Sequence, residues 1–400
     1  MLTDALVISL SRNFWDEVWR SRHQVMSRLA RHNAVIFGSR PLDLREAWPR
    51  VSVASPVRTP GTHRIRDNLY AHVPSRFLPA VHRLPALEQA FQRRRGAQLR
   101  RLAGRWSGRQ QVLYLWHPMF ESYIDAFPDS VVCYHLFDDL GQYGDGGDGS
   151  NARGLERIFS RADLVFASSE ELVQRYARFG NVHWVPNGVD YDHFAAVDPA
   201  AVLVPADLAR LPRPWLGYSG TLRAQIDIEL LAAVARSKPR WSLVFIGDVS
   251  RGMSESAEYG ALRALPNVHM LGPKSLTELP AYLCHLDAGL LPYRLGGAAR
   301  FCYPLKMHEY LAAGAPVVST ALSAVEPFAS VIRVADGHGE WVTAIEAAMA
   351  DNGRAALEAR RGVAHANSWD IRVDTISRLI AAAAGRRGHA RATERGSKSV

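Results

Sequence analysis

The stretch "RFCYPLKMHEYLAAGAPVVST", residues 300–320, decides how the chain is read. Pro304, then periodic apolar residues, then Gly314 and Pro316, predicts a helix that begins at Pro304 and stops at Gly314. Proline suits a first turn whose N–H groups lack partners anyway; glycine suits the left-handed residue past the end; Pro316 prevents resumption. "APVVST" then reads as a buried strand. Leu305, Leu311 and Ala312 supply the buried face of the helix, and Lys306, Glu309 and Tyr310 share another face by three- and four-residue spacing. The charges stand the wrong way round. A helix start carries partial positive charge, and Lys before Glu is the poorer order for a helical ion pair. The misfit costs only about 0.3–1 kcal/mol, so a solvated Lys–Glu pair is one reading. The other is that N–H groups and an ammonium converge on an anion such as phosphate, while Glu309 accepts hydrogen bonds from neutral hydroxyls, as on a ribose.

Outward from that segment the same alternation repeats. "PWLGYSG" (214–220), "WSLVFIGD" (241–248), "VHMLG" (268–272) and "LDAGLLPY" (286–293) read as strands, with helical patterns such as "DIELLAAVARS" (227–237) between them and "HGEWVTAIEAAMA" (338–350) after them. An earlier series, "ALVISL" (5–10), "AVIFG" (34–38), "VLYLWHP" (112–118), "SVVCYHLFDDL" (130–140) and "ADLVFASS" (162–169), does the same. Continuous apolar runs mark parallel strands covered on both faces, and β–α alternation gives doubly wound sheets. The expected organisation is an N-terminal domain over 1–194, a Pro- and Ala-rich linker over 195–212, a C-terminal domain over 213–367, a helix over 368–385 returning to the first domain, and a disordered basic tail over 386–400. Ligands of such sheets bind beyond the strand carboxyl ends, so the expected site is a central cleft between the domains.

The chain has 400 residues, 48 % hydrophobic and 22 % charged, as for globular proteins, and no apolar run reaches the roughly 18–20 residues of a membrane span. The apolar N-terminus lacks a basic flank and reads as a first buried strand rather than a signal peptide. Cys133, Cys284 and Cys302 have no metal-ligand spacing, which suits a reducing cytoplasm. The net charge of +9 calls for an anionic partner. Residues 93–109 hold seven arginines and no acid, on a helical pattern continuing from Leu84. One reading of 84–109 is a basic amphipathic helix on an anionic membrane; the other is a surface helix packed on its own domain. No motif accompanies the charge that would favour nucleic acid.

The segments "YSGTLRAQIDIELLAAVA", "WSLVFIGD", "LPNVHMLGPKSLTELPAYLCHLDAGLLPY" and "PLKMHEYLAAGAPVVST" occur in this order in the GT-B glycosyltransferases of family four (group 1 type), and the chain resembles the teichuronic-acid-type branch most. "ADLVFASSEELVQRYARFGNVHWVPNGVDYDHF" and "SWDIRVDTISRLI" are similar to the family's domain end and crossover helix. The resemblance is strong in the second half and loose from 40 to 110. It implies the GT-B fold, two Rossmann-like domains, and transfer of a sugar from a nucleotide diphosphate sugar to a hydroxyl acceptor in polysaccharide or glycolipid synthesis, with retention and without a metal. It places Glu309 on the ribose. It also shows departures: the first motif glutamate falls at Phe301, and the Arg and Lys that grip the diphosphate fall at Thr221 and Ile226. Arg223, Lys306 or Arg300 would then supply charge, with Gly220, Thr221, Pro304 and Leu305 around the donor. The alternative is a non-catalytic nucleotide-sugar-binding scaffold.

Other candidates follow from position. His135 and Asp138 end a strand where the family places a histidine facing the donor sugar; the plain alternative is a capped loop. Arg12, Trp15, Arg22 and His23, after the first strand, suit an acceptor, with Trp19 expected in the core. Asp248 is expected to cap a helix. The Asp pair of "DYD" (190–192) is too short a match to imply a metal. The Gly- and Asp-rich 138–150 is expected to be a mobile loop. A lipid-linked acceptor would place the protein in the cytoplasm, peripheral to the inner face of the membrane.

Overall fold

A computed structural model describes residues 1–17, 19–48, 55–81, 84–137, 150–296 and 301–397. The chain divides into two compact units, Met1–Pro186 with Arg372–Val400, and Asn187–Ile371.

The first unit is built on strands β1 (Leu6–Leu10), β2 (Ala34–Gly38), β3 (Gly61–Arg66), β4 (Leu69–Val73), β5 (Gln111–Leu115), β6 (Val131–Leu136), β7 (Leu164–Ala167) and β8 (Val182–Trp184). They form one sheet in the order β3-β4-β2-β1-β5-β6-β7-β8. All pairs are parallel except β3–β4. Every residue of β1 and β6 is buried, which is why both read as unbroken apolar runs. The β3–β4 hairpin was not foreseen. Its edge strand, "GTHRIR", is largely exposed and charged, and it turns through Asn68 at φ 61°.

The second unit contains β9 (Trp215–Ser219), β10 (Ser242–Ile246), β11 (Val268–Gly272), β12 (Ala288–Leu291), β13 (Val317–Ser319) and β14 (Arg333–Val334). The sheet is wholly parallel, in the order β11-β10-β9-β12-β13-β14. The chain winds from β9 to one edge, returns, and winds to the other. The order therefore reverses between β9 and β12, as it does between β1 and β5 in the first unit. Two glycines permit close packing behind the reversal. A Cβ on Gly217 would lie 2.4 Å from Leu286, and one on Gly289 2.6 Å from the ring of Tyr310.

Three expectations are corrected. Residues 195–212 are no free linker, because Leu208 is fully buried in the second unit's core and Val197, Val204 and Leu211 pack against it. Asp207 there accepts hydrogen bonds from Lys274 Nζ and the Tyr282 hydroxyl, both at 2.7 Å. The second unit accordingly starts at Asn187, and Phe194 belongs to its core. The tail expected to be disordered from 386 is helical to Ser397, as one helix Trp369–Ser397. It is fastened to the first unit where Ser377 Oγ accepts the Leu2 N–H at 2.8 Å and Arg387 Nε donates to Asp163 at 2.7 Å.

The arginine-rich segment is a helix, Pro85–Ala103, whose apolar face is already occupied. Leu99, Ala103 and Gly96 are buried, and a Cβ on Gly96 would touch Ala126 at 3.1 Å. Arg95 turns inward to Glu88 at 2.6 Å. This is the surface-helix reading, with Arg93, Arg94, Arg100, Arg101 and Arg105 exposed. Among the described residues no helix is long and apolar enough to cross a membrane.

Gly289→Val should destabilise the protein by about 1–3 kcal/mol, since an added side chain must displace the Tyr310 ring. Urea titration at 25 °C measures this; an unchanged midpoint would show that the helix bearing Tyr310 is not seated on β12.

Candidate functional site

The candidate site lies at the carboxyl ends of β9 and β12. Gly220 follows β9 at φ 131° and donates its N–H to Ile246 at 2.8 Å. Gly247, at φ 142°, follows β10 so closely that a Cβ would lie 2.4 Å from the Gly220 carbonyl oxygen. Both positions require the freedom of glycine. The loops after β9 and β12 are tied by backbone hydrogen bonds from Arg294 to Gln225 (2.8 Å) and Asp227 to Pro292 (2.7 Å).

The helix of the opening stretch runs Leu305–Ala313, with Pro304 one place earlier than predicted, at the N-cap, and Gly314 left-handed at φ 87°. Tyr310 hangs it on β9: its hydroxyl oxygen accepts the Ser219 N–H at 2.7 Å. Leu305 is only half-buried, and Met307, His308 and Tyr310 join Leu311 and Ala312 on the buried side.

Lys306 does not pair with Glu309. Its Nζ donates to the hydroxyls of Tyr218 at 3.0 Å and Tyr293 at 3.1 Å, and sits 4.5 Å and 5.4 Å from the centroids of their rings. Gly220 lets it in, since a Cβ there would meet Cε and Nζ at 3.1 Å. Burial weighs against the charge, but the phenols of Tyr218, Tyr293 and Tyr310 outweigh it and hold the lysine pKa above its ordinary value. The cage therefore keeps an ammonium without neutralising it. Glu309 is half-buried, and among the described residues it has no hydrogen-bond or ion-pair partner. Burial pushes its carboxyl up to about 7, against the pull of Lys306. Two groups with unmet bonding capacity thus stand one helical turn apart.

The tyrosines were missed in the sequence. Tyr218 and Tyr293 end two strands that read only as apolar runs, and nothing local links them to Lys306. Their common position at the last residues of β9 and just past β12 is the signal that adjacency in the sheet would have revealed.

The remaining candidates fall out as follows. Thr221 is half-buried, and its carbonyl accepts the Tyr218 hydroxyl at 3.2 Å. Arg223 is exposed, with no side-chain partner among the described residues. Ile226 and Phe301 are 2 % and 4 % exposed and belong to packing. Arg300, Asp138 and the loop 138–149 lie outside the described residues. Asp248 is exposed and caps nothing; Ser250 is the N-cap of the next helix.

In the first unit, His135 is corrected. It is 1 % exposed, its Nδ1 is 2.8 Å from the Tyr114 hydroxyl, and its ring stacks on Trp116 at 4.5 Å. Burial, then Arg22, pushes its pKa down to about 3, so it is a neutral core ring rather than a group facing substrate. His23 is likewise fully buried, its Nδ1 accepting the Arg20 N–H at 3.0 Å, among Trp15, Trp19 and Phe37. Trp15 is half-buried in that cluster, whereas Trp19, expected inside, is 37 % exposed. Arg12 is exposed, with Nη1 3.4 Å from His117 Nε2. Arg22 is buried.

The family described as "Glycosyl transferases group 1" matches residues 213–358, the segment that carries β9 to β14 and the Lys306–Glu309 helix. The chain has the GT-B fold. The chain is similar to the teichuronic acid biosynthesis glycosyltransferase TuaH of Bacillus subtilis (strain 168), 31 % identical over 225 residues. That similarity covers 54 % of this chain and 55 % of the relative, so the chain spans about half the relative's length. Among solved structures, the GT-B fold is shared with sucrose-phosphate synthase from Thermosynechococcus elongatus (TM-score 0.68, 16 % identity, 94 % of this chain and 98 % of that one). It is shared too with Anabaena HepE in complex with UDP (TM-score 0.67, 14 % identity, 94 % and 99 %). Trehalose 6-phosphate synthase from Burkholderia multivorans is a third (TM-score 0.67, 14 % identity, 96 % and 100 %).

Because the folded state raises the Glu309 pKa above its unfolded value of 4.5, the native protein holds that proton longer than the unfolded chain. Stability from this group is complete below about 4.5 and is lost as pH rises through 7. Glu309→Gln should therefore stabilise the ligand-free protein at pH 8 by about 1–2 kcal/mol, allowing for its solvent-open edge, and much less at pH 5. Denaturant titrations at the two pH values read the difference.

Proposed function

We propose that the protein is a glycosyltransferase that moves a sugar from a nucleotide diphosphate sugar to a hydroxyl acceptor, with retention of configuration, in cell-surface polysaccharide or glycolipid synthesis. One observation carries the reading: the Lys306 ammonium, at a helix start and at the strand-order reversal, is held by neutral phenols and has no carboxylate partner among the described residues. A helix N-terminus and a cation together favour a diphosphate, and Glu309 one turn on offers two oxygens to ribose hydroxyls. Lys306 takes the place of the Arg and Lys missing at Thr221 and Ile226. As the glycosidic bond breaks, negative charge builds on the leaving diphosphate, and a preorganised ammonium and helix end stabilise it. A leaving-phosphate oxygen then accepts the acceptor's proton, so the reaction needs neither a protein base nor a bound metal.

The relative named for teichuronic acid biosynthesis favours a cell-surface polymer as the product class. The exposed Arg93, Arg94, Arg100, Arg101 and Arg105, with Leu84 57 % and Leu87 40 % exposed beside them, favour a lipid-linked acceptor at an anionic membrane face on the cytoplasmic side. Nucleic acid is not a partner in this reading. The non-catalytic alternative draws on Phe301 and Ile226, both packed in the core where the family has charge; it predicts donor binding without turnover.

Lys306→Met should raise the Kd for UDP or GDP by at least about tenfold, the effect of losing one charge-assisted hydrogen bond or more, while leaving the nucleoside's Kd within about twofold. Calorimetric titration of both ligands measures this; equal losses, or none, would remove the phosphate role. Replacing Arg93, Arg94, Arg100 and Arg101 with Gln should cut binding to vesicles containing phosphatidylglycerol, at about 1 kcal/mol per arginine, as read by co-sedimentation. Undiminished binding would dismiss that face as the membrane contact.

A further inference from the structure

The first unit repeats the physical anomaly found at Lys306. Its helix Ser21–Leu29 has Arg22 as second residue, as Lys306 is second in its own helix, and no acid in the first turn. A cation there opposes the helix macrodipole. Arg22 is nevertheless 8 % exposed. Its Nη1 donates to Ser11 Oγ at 3.1 Å, and its guanidinium carbon lies 5.8 Å from the Phe137 ring centroid. Ser11 follows β1 and Phe137 follows β6, with β5 between those strands. The guanidinium therefore lies over the reversal point of the first sheet.

Glu17 pulls on the guanidinium from a distance, without pairing with it. Among the described residues Arg22 has no ion pair. The nearby acids are engaged elsewhere, Glu17 by Asn13 and Asp16 by Arg58 at 3.0 Å. Arg20 adds positive potential, Arg12 stands beside His117, and buried His135 stays neutral. Burial pushes the Arg22 pKa down to about 10, which leaves it charged at neutral pH.

Ser11 supplies an independent observation. It is fully buried, and its Oγ accepts from Arg22 and from the Asn13 N–H at 3.1 Å. Both lone pairs are thus occupied, and among the described residues its proton has no acceptor. A buried hydroxyl with an unmatched proton, beside a buried cation that has no ion pair among the described residues, is a donor set suited to an oxyanion.

We infer that Arg22 and Ser11 form an oxyanion site in the first unit, separate from Lys306, that takes a phosphate or carboxylate carried by the acceptor. Its placement on the acceptor rests on the donor reading given above; the oxyanion site itself does not. The planar guanidinium offers two parallel N–H bonds to one anion, and the Ser11 hydroxyl a third. The acceptor class that follows is a phosphorylated or uronic sugar, and a neutral sugar would leave Arg22 buried and uncompensated.

The test titrates inorganic phosphate, glucuronate and UDP by calorimetry into wild type, Arg22→Gln, Arg22→Lys, Ser11→Ala and Lys306→Met. The expected result is that Arg22→Gln weakens phosphate or glucuronate at least tenfold, that Arg22→Lys recovers part of the loss, and that Ser11→Ala weakens it severalfold. Lys306→Met should leave that binding unchanged, and Arg22→Gln should leave UDP unchanged. Removal of an uncompensated buried charge should not lower the Tm of Arg22→Gln; should that variant fail to fold, Ser11→Ala and Arg22→Lys carry the test. The proposal is overturned if neither anion binds wild type, if both bind all Arg22 and Ser11 variants equally, or if Arg22→Gln loses UDP as Lys306→Met does. Absence of UDP binding with Arg22-dependent phosphate binding intact would remove the donor reading and uphold the oxyanion site.

Discussion

Everything in the second unit's site depends on how one ammonium is held. Removing a charge from water costs several kcal/mol unless something replaces the solvent. A carboxylate would do so most simply, and would also cancel the charge. The chain instead gives Lys306 two phenol oxygens and the faces of their rings, which solvate a cation without neutralising it. The rest follows from that requirement. Gly220 must be bare for the side chain to enter, Tyr310 must bind β9 to fix the helix, and Gly289 must be bare for Tyr310 to fit.

The two units solve similar problems with different chemistry. Each has a sheet, wholly parallel in the second unit and parallel but for one edge hairpin in the first, whose strand order reverses beside its first strand, and each sets a cation in the second position of a helix near that reversal. In the second unit the neighbours are tyrosines and an unpaired carboxyl. In the first they are a serine and a phenylalanine. The Phe137 ring faces Arg22 without offering it a counter-charge.

The parallel strands were legible because burial on both faces leaves a continuous apolar run, as in "LVISL" and "SLVFI". The Lys306 helix was legible because its caps and its ill-placed charge are local. What lay beyond reading was long-range. Tyr218 stands 88 residues from the lysine it holds. Arg95 looked like one more surface arginine, and only Glu88, two turns earlier on the same helix face, draws it inward. His135 looked ligand-facing because it ends a strand, but Trp116 on the adjoining strand's exit covers it. The edge strand β3 was hidden because an edge need not be apolar, and the segment 195–212 because proline and alanine masked a spaced apolar series.

The contact between Gly220 and Gly247 has a bearing on redesign. Their backbones touch with no side chain between them to absorb a shift, so the turns after β9 and β10 behave as a single mechanical part. Grafting one turn from another protein of this fold to alter ligand preference would jam against the other. Both would have to be exchanged together, as a matched cassette.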